Sequence, residues 1–277
     1  MIALVRSELL KYRSTRLFWG MLIGMFLTGA AFAAIGAAFT IYGEMPMGGQ
    51  TVEMRSLVPD ETLVRQTYTG GIQLGYLLAL VIGVLSIGQE FRHKTATGTF
   101  LAAPRRSRVI AAKVISLIVI GAVNGVVHLA GAMIGGGALL AANGIPLFPG
   151  PGGLVRTLAL ALLVLGLWAL MGLGIGVLIP NQIAALLVAI AFAWIVEPLV
   201  GFGLSLVDGG SEVARFFPSQ ATSAALDTFG GMDASAAEQM GASGDQLAWW
   251  AGALVLLAYA AVMTAIGTWL TRRRDIV

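Results

Sequence analysis

Apolar residues run along this chain in long blocks divided by short polar stretches. Six blocks approach or exceed the roughly 20 residues that a helix needs to cross about 30 Å of hydrocarbon. They lie at about 17–41, 72–88, 109–142, 154–179, 183–206 and 247–270. The second is short, the third is longer than one crossing requires, and only Pro180-Asn181-Gln182 parts the fourth from the fifth. The pattern predicts an all-α integral membrane protein, with one six-span transmembrane domain over residues 1–277.

Ahead of the first block, Ile2, Val5, Leu9 and Tyr12 fall at helical spacing on one face, with Ser7, Lys11 and Ser14 opposite. This predicts a basic interfacial helix over residues 1–16, flat on a membrane surface. The first block has an apolar run of about 25 residues, longer than a signal-peptide core, and reads as a span.

Composition agrees: 57% of residues are hydrophobic, 11% are charged, and the mean hydropathy is +0.86, where a soluble domain carries about 25% charged residues. The distribution of charge is more telling than the net +3. Arg6, Lys11, Arg13 and Arg16 precede the first span, and Arg272, Arg273 and Arg274 follow the last. The stretch Gly88–Lys113 between spans 2 and 3 carries Arg92, Lys94, Arg105, Arg106, Arg108 and Lys113 against Glu90 alone. The alternate loops are acidic, with Glu44, Glu53, Asp60 and Glu61, and then Asp208, Glu212, Asp227, Asp233, Glu238 and Asp245. Clusters of Lys and Arg mark cytoplasmic segments, which predicts a multi-pass protein of the cytoplasmic membrane with both termini inside. Trp19 and Trp269 then lie near the inner interface, and Trp249 and Trp250 near the outer one.

Little in the chain suggests chemistry of its own. There is no Cys and no Gly-Lys dipeptide, hence no phosphate-binding loop. The two histidines are His93 and His128, and Glu90 with His93 is a lone Glu-x-x-His pair. No catalytic, cofactor or metal site is expected, and no nucleic-acid partner. Polar residues inside spans stand out because they are costly there. Glu197, followed by Pro198, is either a substrate-path or gating carboxylate at a helix break, or a residue near the outer surface where Pro198 ends the regular helix. Asn124 and His128, one turn apart on span 3, either line a polar path or make interhelical hydrogen bonds. The outer loop 207–246 has a partly apolar stripe, Val213, Phe216, Phe217, Ala221, Ala224 and Ala225, fitting either a dipping helix or a loop packed over the bundle.

LVRSELLKYRSTR at the start, six spans, GQEFRHKTATGTFLAAPRRSRVIAAK after span 2, IPNQIAALLVAIAFAWIVEPLV and EVARFFPSQATSAAL together resemble the permease subunits of ABC-2 class ATP-binding-cassette transporters. The resemblance covers essentially the whole chain. It implies an exporter subunit that is not itself an enzyme. A separate ATP-binding subunit would supply ATP and Mg, and the permease would pair as a homo- or heterodimer. It also implies re-entrant helices before span 6, and a coupling loop at residues 89–108. Glu90, Phe91, Arg92, His93, Thr95, Thr97, Thr99 and Phe100 are then the expected ATPase contacts. Arg6, Lys11, Arg13, Arg16, Arg105, Arg106 and Arg108 are expected to anchor the inner membrane surface. The transported substrate is not implied. An ion-coupled secondary transporter and an integral-membrane enzyme are the alternatives. They would call for several intramembrane carboxylates or an inverted repeat, or for clustered acid, base or metal groups.

Overall fold

The computed structural model describes residues 1–47, 50–92, 106–232 and 246–273. A short helix α1 (Ile2–Arg13) leads into α2 (Arg16–Tyr42). A hairpin follows, β1 (Glu44–Met47) against β2 (Gln50–Glu53), antiparallel with Glu44 opposite Glu53. Next come α3 (Met54–Leu57), α4 (Asp60–Tyr68), α5 (Ile72–Arg92), α6 (Arg106–Ala142) and α7 (Pro151–Leu178). α8 (Gln182–Ala191) runs through a π turn (Phe192–Val196) into α9 (Glu197–Ser205). Two short helices, α10 (Gly210–Ala214) and α11 (Pro218–Ala225), precede α12 (Trp249–Arg273).

Among the described residues, six helical stretches are long and apolar enough to cross a membrane, so the chain has the build of a multi-pass membrane protein. Their bounds follow the apolar blocks closely. The exception is the second, which gains α4 and becomes a crossing over Asp60–Glu90, bent at residues 69–71. The hairpin is short and lies in a segment that hydropathy leaves blank.

Three helices form the centre and three the periphery. The crossings built on α5, α6 and α7 are 61, 56 and 67% buried, against 22, 22 and 17% for those on α2, α8–α9 and α12. Lipid is as apolar as leucine, so helices associate in it through close packing rather than water exclusion. Glycine permits that closeness here. A Cβ at Gly29 would strike the His128 carbonyl, and one at Gly131 or Gly135 the carbonyls of Phe26 or Ala30, so α2 and α6 meet backbone to backbone. Gly83 and Gly172 do the same for α5 and α7, against Ala169 and Leu80. Beside this seam Tyr76 stacks on Trp168, centroids 4.0 Å apart and planes 11° apart, and both are buried.

Candidate functional site

At the end of the bundle that carries α1, four charged side chains converge between α1, α5 and α6. Glu8 and Lys11 lie one turn apart on α1, Glu90 lies near the end of α5, and Lys113 lies two turns into α6. Lys113 Nζ is 2.7 Å from Glu8 Oε2 and 2.9 Å from Glu90 Oε1. Lys11 Nζ is 2.7 Å from Glu8 Oε1 and 2.8 Å from the same Glu90 Oε1. Lys113 also donates to the Ser86 carbonyl at 3.2 Å, which uses its third N–H. The side chains of Lys113, Glu90 and Glu8 are 2, 6 and 12% exposed, whereas Lys11 is 46% exposed. Two anions and two cations thus form a closed, neutral ring, buried at Lys113 and Glu90, half-buried at Glu8 and open to solvent at Lys11. A cavity of about 70 Å³ lies against the ring, and Glu90 Oε2, buried and without a partner among the described residues, belongs to its wall.

The electrostatics follow from this geometry. Burial by itself would raise the Glu8 carboxyl, but the Lys113 and Lys11 ammonium groups outweigh it and hold Glu8 below the ordinary carboxylate range. Burial would lower Lys11, yet its hydrogen bonds to Glu8 and Glu90 leave it above the ordinary lysine range.

The ring alters several expectations. The inward face of α1 carries Leu4, Val5, Glu8, Leu9 and Tyr12, while Ile2 is 86% exposed. Apolar periodicity placed Ile2 on that face and overlooked Glu8, whose carboxylate turns inward because Lys113 waits there. Glu90 Oε1 meets Lys113 inside the bundle, and Lys113, one of the basic residues between spans 2 and 3, is enclosed. Lys11 is engaged by two carboxylates, while Arg6, Arg13, Arg16 and Arg108 are exposed. Arg92, the last residue of α5, is exposed; Phe91 precedes it in the helix, and Arg106 opens α6. His93, Thr95, Thr97, Thr99, Phe100 and Arg105 lie outside the described residues.

Asn124 and His128 are fully buried and tie helices together. Asn124 Nδ2 donates to Tyr12 Oη at 3.2 Å, adding a second polar link to α1. His128 Nδ1 lies 3.1 Å from the Met25 carbonyl on α2, the distance of an N–H donor in that tautomer.

Glu197 neither sits in a water-filled opening nor ends its helix. It is 4% exposed, and the helix continues through Pro198 to Ser205. Pro198 has no N–H to return to the preceding turn. The chain widens into the π turn just before it, where the Glu197 N–H donates to the Phe192 carbonyl, five residues back. Glu197 Oε1 accepts the Ser219 N–H at 2.6 Å, in the first turn of α11. A second tether joins the same helix to the centre, since Trp168 Nε1 donates to Thr222 Oγ1 at 2.9 Å. Ala221, Ala224 and Ala225 of the predicted stripe are buried, and Val213 and Phe216 are exposed.

At the opposite end, Asp227 has a left-handed φ of 54° and is clamped by Arg65 at 2.8 Å and Arg156 at 3.0 Å. Gln66 Nε2 donates to the Thr228 carbonyl at 2.9 Å. These bonds fix the segment after α11 to α4 and α7. Inside the clamp lies a cavity of about 400 Å³ between α2, the bend at 69–71, the π turn and the end of α11. Among the described residues no three His, Cys, Asp or Glu side chains come together as a metal site would need.

No model of a known protein family matches this chain. A search of curated proteins likewise finds no match. The functional reading therefore stands on the two ends of the bundle. Sequence reasoning missed Glu8 and Lys113 as members of a site. They could have been sought as the one acid in a basic helix and a lysine in an apolar run.

Proposed function

We propose that this chain is the membrane-spanning subunit of an ATP-driven exporter whose ATPase is a separate polypeptide. The observation that carries the reading is the buried charge ring. It locks α1 to the end of α5 and the start of α6, the two helices that flank residues 93–105. A push on that segment would reach α5 and α6 directly, and the ring would carry α1 along with them. Such a joint suits a subunit that receives work from outside, since a partner shifts an equilibrium only through contacts that differ between its two states. The ring is then the inner, cytoplasmic end, in keeping with the basic residues gathered there.

The opposite half supports a path for cargo. Glu197 lies 15 residues beyond Gln182, about 22 Å along the helix, and Trp168 lies 10 residues before Leu178, about 15 Å. A helical side chain leans toward its own N-terminus, which lifts the Trp168 ring further from that end. Both tethers of α11 thus fall within about 30 Å of hydrocarbon, which favours a re-entrant helix over a loop lying above the bundle. The 400 Å³ cavity next to it is the candidate substrate chamber.

The test is co-purification with a candidate ATP-binding subunit from the same cells, followed by an ATPase assay. A stable complex whose activity depends on this chain is expected. Deleting residues 93–105, which leaves all four ring residues in place, should abolish the pairing; pairing that survives the deletion refutes the coupling assignment.

A further inference from the structure

The 400 Å³ cavity has a lining of mixed chemistry without charge. Phe32, Trp194 and Phe229 supply rings, and Thr69, Gln73 and Ser223 are among the polar residues; none of the described lining residues is Asp, Glu, Lys, Arg or His. Several of its polar groups are already used within the fold. The Thr69 hydroxyl donates to the Arg65 carbonyl, the Thr228 hydroxyl to the Ser223 carbonyl, and the Gln66 amide to Thr228. The Gln73 amide and the Ser223 hydroxyl have no hydrogen-bond partner among the described residues. Two carboxylates lie near the lining without belonging to it: Asp227 is held by two arginines, and Glu197 accepts from the Ser219 N–H.

Gln73 is exposed, yet it stands 17 residues before Glu90, about 25 Å up α5 and inside the apolar thickness. An unpaired amide at that depth is costly unless something polar meets it. Phe32 and Trp194 lie at similar heights, about 24 and 18 Å from Arg16 and Gln182 along their own helices. They are 44 and 55% exposed, so the chamber is open on its membrane-facing side.

We propose that this chamber binds an uncharged amphiphile. A flat apolar body lies among Phe32, Trp194 and Phe229, and a hydroxyl- or amide-bearing head pairs with Gln73 and Ser223. The volume suits a compact molecule, at the lower end of the 300–1,000 Å³ typical of small-molecule sites. Ligands arrive laterally from the bilayer, past Trp194. An ionised head would lose its water and find no counter-charge, so the site selects against charge of either sign. Naming this ligand as cargo rests on the exporter reading; the binding itself does not.

The experiment uses the full chain in lipid nanodiscs and three probes with one ring system: 1-pyrenemethanol, 1-pyrenecarboxylate and 1-pyrenemethylammonium. Energy transfer from tryptophan to pyrene reports binding, and its saturable part separates the site from membrane partitioning. The alcohol should bind saturably, at least about tenfold tighter than either ion. Gln73→Leu should weaken the alcohol by about three- to tenfold. Equal affinity for the three probes, an unchanged Gln73→Leu variant, or a signal that never saturates overturns the proposal. So does a disulfide-linked dimer of Gln73→Cys, the sole thiol in a chain without cysteine, because a second copy would then cover the chamber. No ATPase enters the assay. A failed ATPase pairing leaves the binding result intact, and failed binding with a working ATPase complex removes only the substrate class.

Discussion

Replacing Lys113 with Met tests the charge ring most directly. The substitution keeps the aliphatic stem and deletes one ammonium, leaving Glu8 and Glu90 facing the gap with only Lys11 nearby. Contacts of 2.7 and 2.9 Å disappear, together with the 3.2 Å bond to Ser86. Because Lys113 is 2% exposed and Glu90 6%, bulk water screens what remains poorly. Removing one partner of a buried ion pair costs about 3–5 kcal/mol, mostly as the uncompensated charge left behind. Lys11→Met removes equally short contacts from a residue that is 46% exposed, where exposed pairs are worth about 1 kcal/mol or less. The two lysines should therefore behave unequally although their bond lengths match. Helix α1 has no buried residue of its own, so losing the ring should release it. Spin labels on Arg6→Cys and Arg108→Cys, both exposed, would report the α1–α6 distance in an otherwise cysteine-free chain. A narrow distribution is expected for the parent and for Lys11→Met, and a broad one for Lys113→Met. Glu90→Gln combined with Lys113→Met should narrow it again in part, since the ring loses one charge of each sign. Equal distributions for the two lysine variants would refute the reasoning, as would a narrow one for Lys113→Met.

The same distance should vary with pH in a defined direction. Glu8 is held below its ordinary value, so its contribution is complete above the unfolded carboxylate range, about pH 4.3, and is lost as pH falls through the lower folded value. Lys11 is held above its ordinary value, so its share is complete below about pH 10.4 and lost only as pH rises further. Docking of α1 should then be flat between those limits; a transition near pH 6–7 contradicts the assignment. At the other end, Glu197→Leu deletes the acceptor for Ser219 and should cost about 0.5–2 kcal/mol, as loss of a helix cap does. Faster hydrogen exchange confined to residues 210–226 would register it, and Glu197→Gln, which keeps the acceptor oxygen, should exchange nearly as the parent. For the helix seam, Gly83→Val must push α5 off the Ala169 carbonyl, whereas Gly36→Val meets nothing within 4 Å. The first should lower thermal stability by about 1–3 kcal/mol or prevent folding, and the second should leave the melting curve unchanged.

Hydrophobic length alone determined the number of crossings and most of their bounds, because a membrane imposes a fixed apolar thickness on any helix within it. It also told where polar residues would need an explanation, and Asn124 and His128 resolved into interhelical bonds as their spacing allowed. Glu197 was legible as unusual but not as a cap, since Ser219 lies 22 residues onward and only folding brings its N–H within reach. The hairpin, α4 and the π turn were invisible to hydropathy, which registers burial over a window and not backbone hydrogen bonding. The charge ring shows the division most clearly. Sequence gave a basic helix, a basic loop and a lysine in an apolar run, all readable as surface charge. Tertiary structure turned Glu8, Glu90 and Lys113 toward one another from positions as far as 105 residues apart. Ionic attraction depends on distance in space and on exclusion of water, and neither quantity exists until the helices have packed.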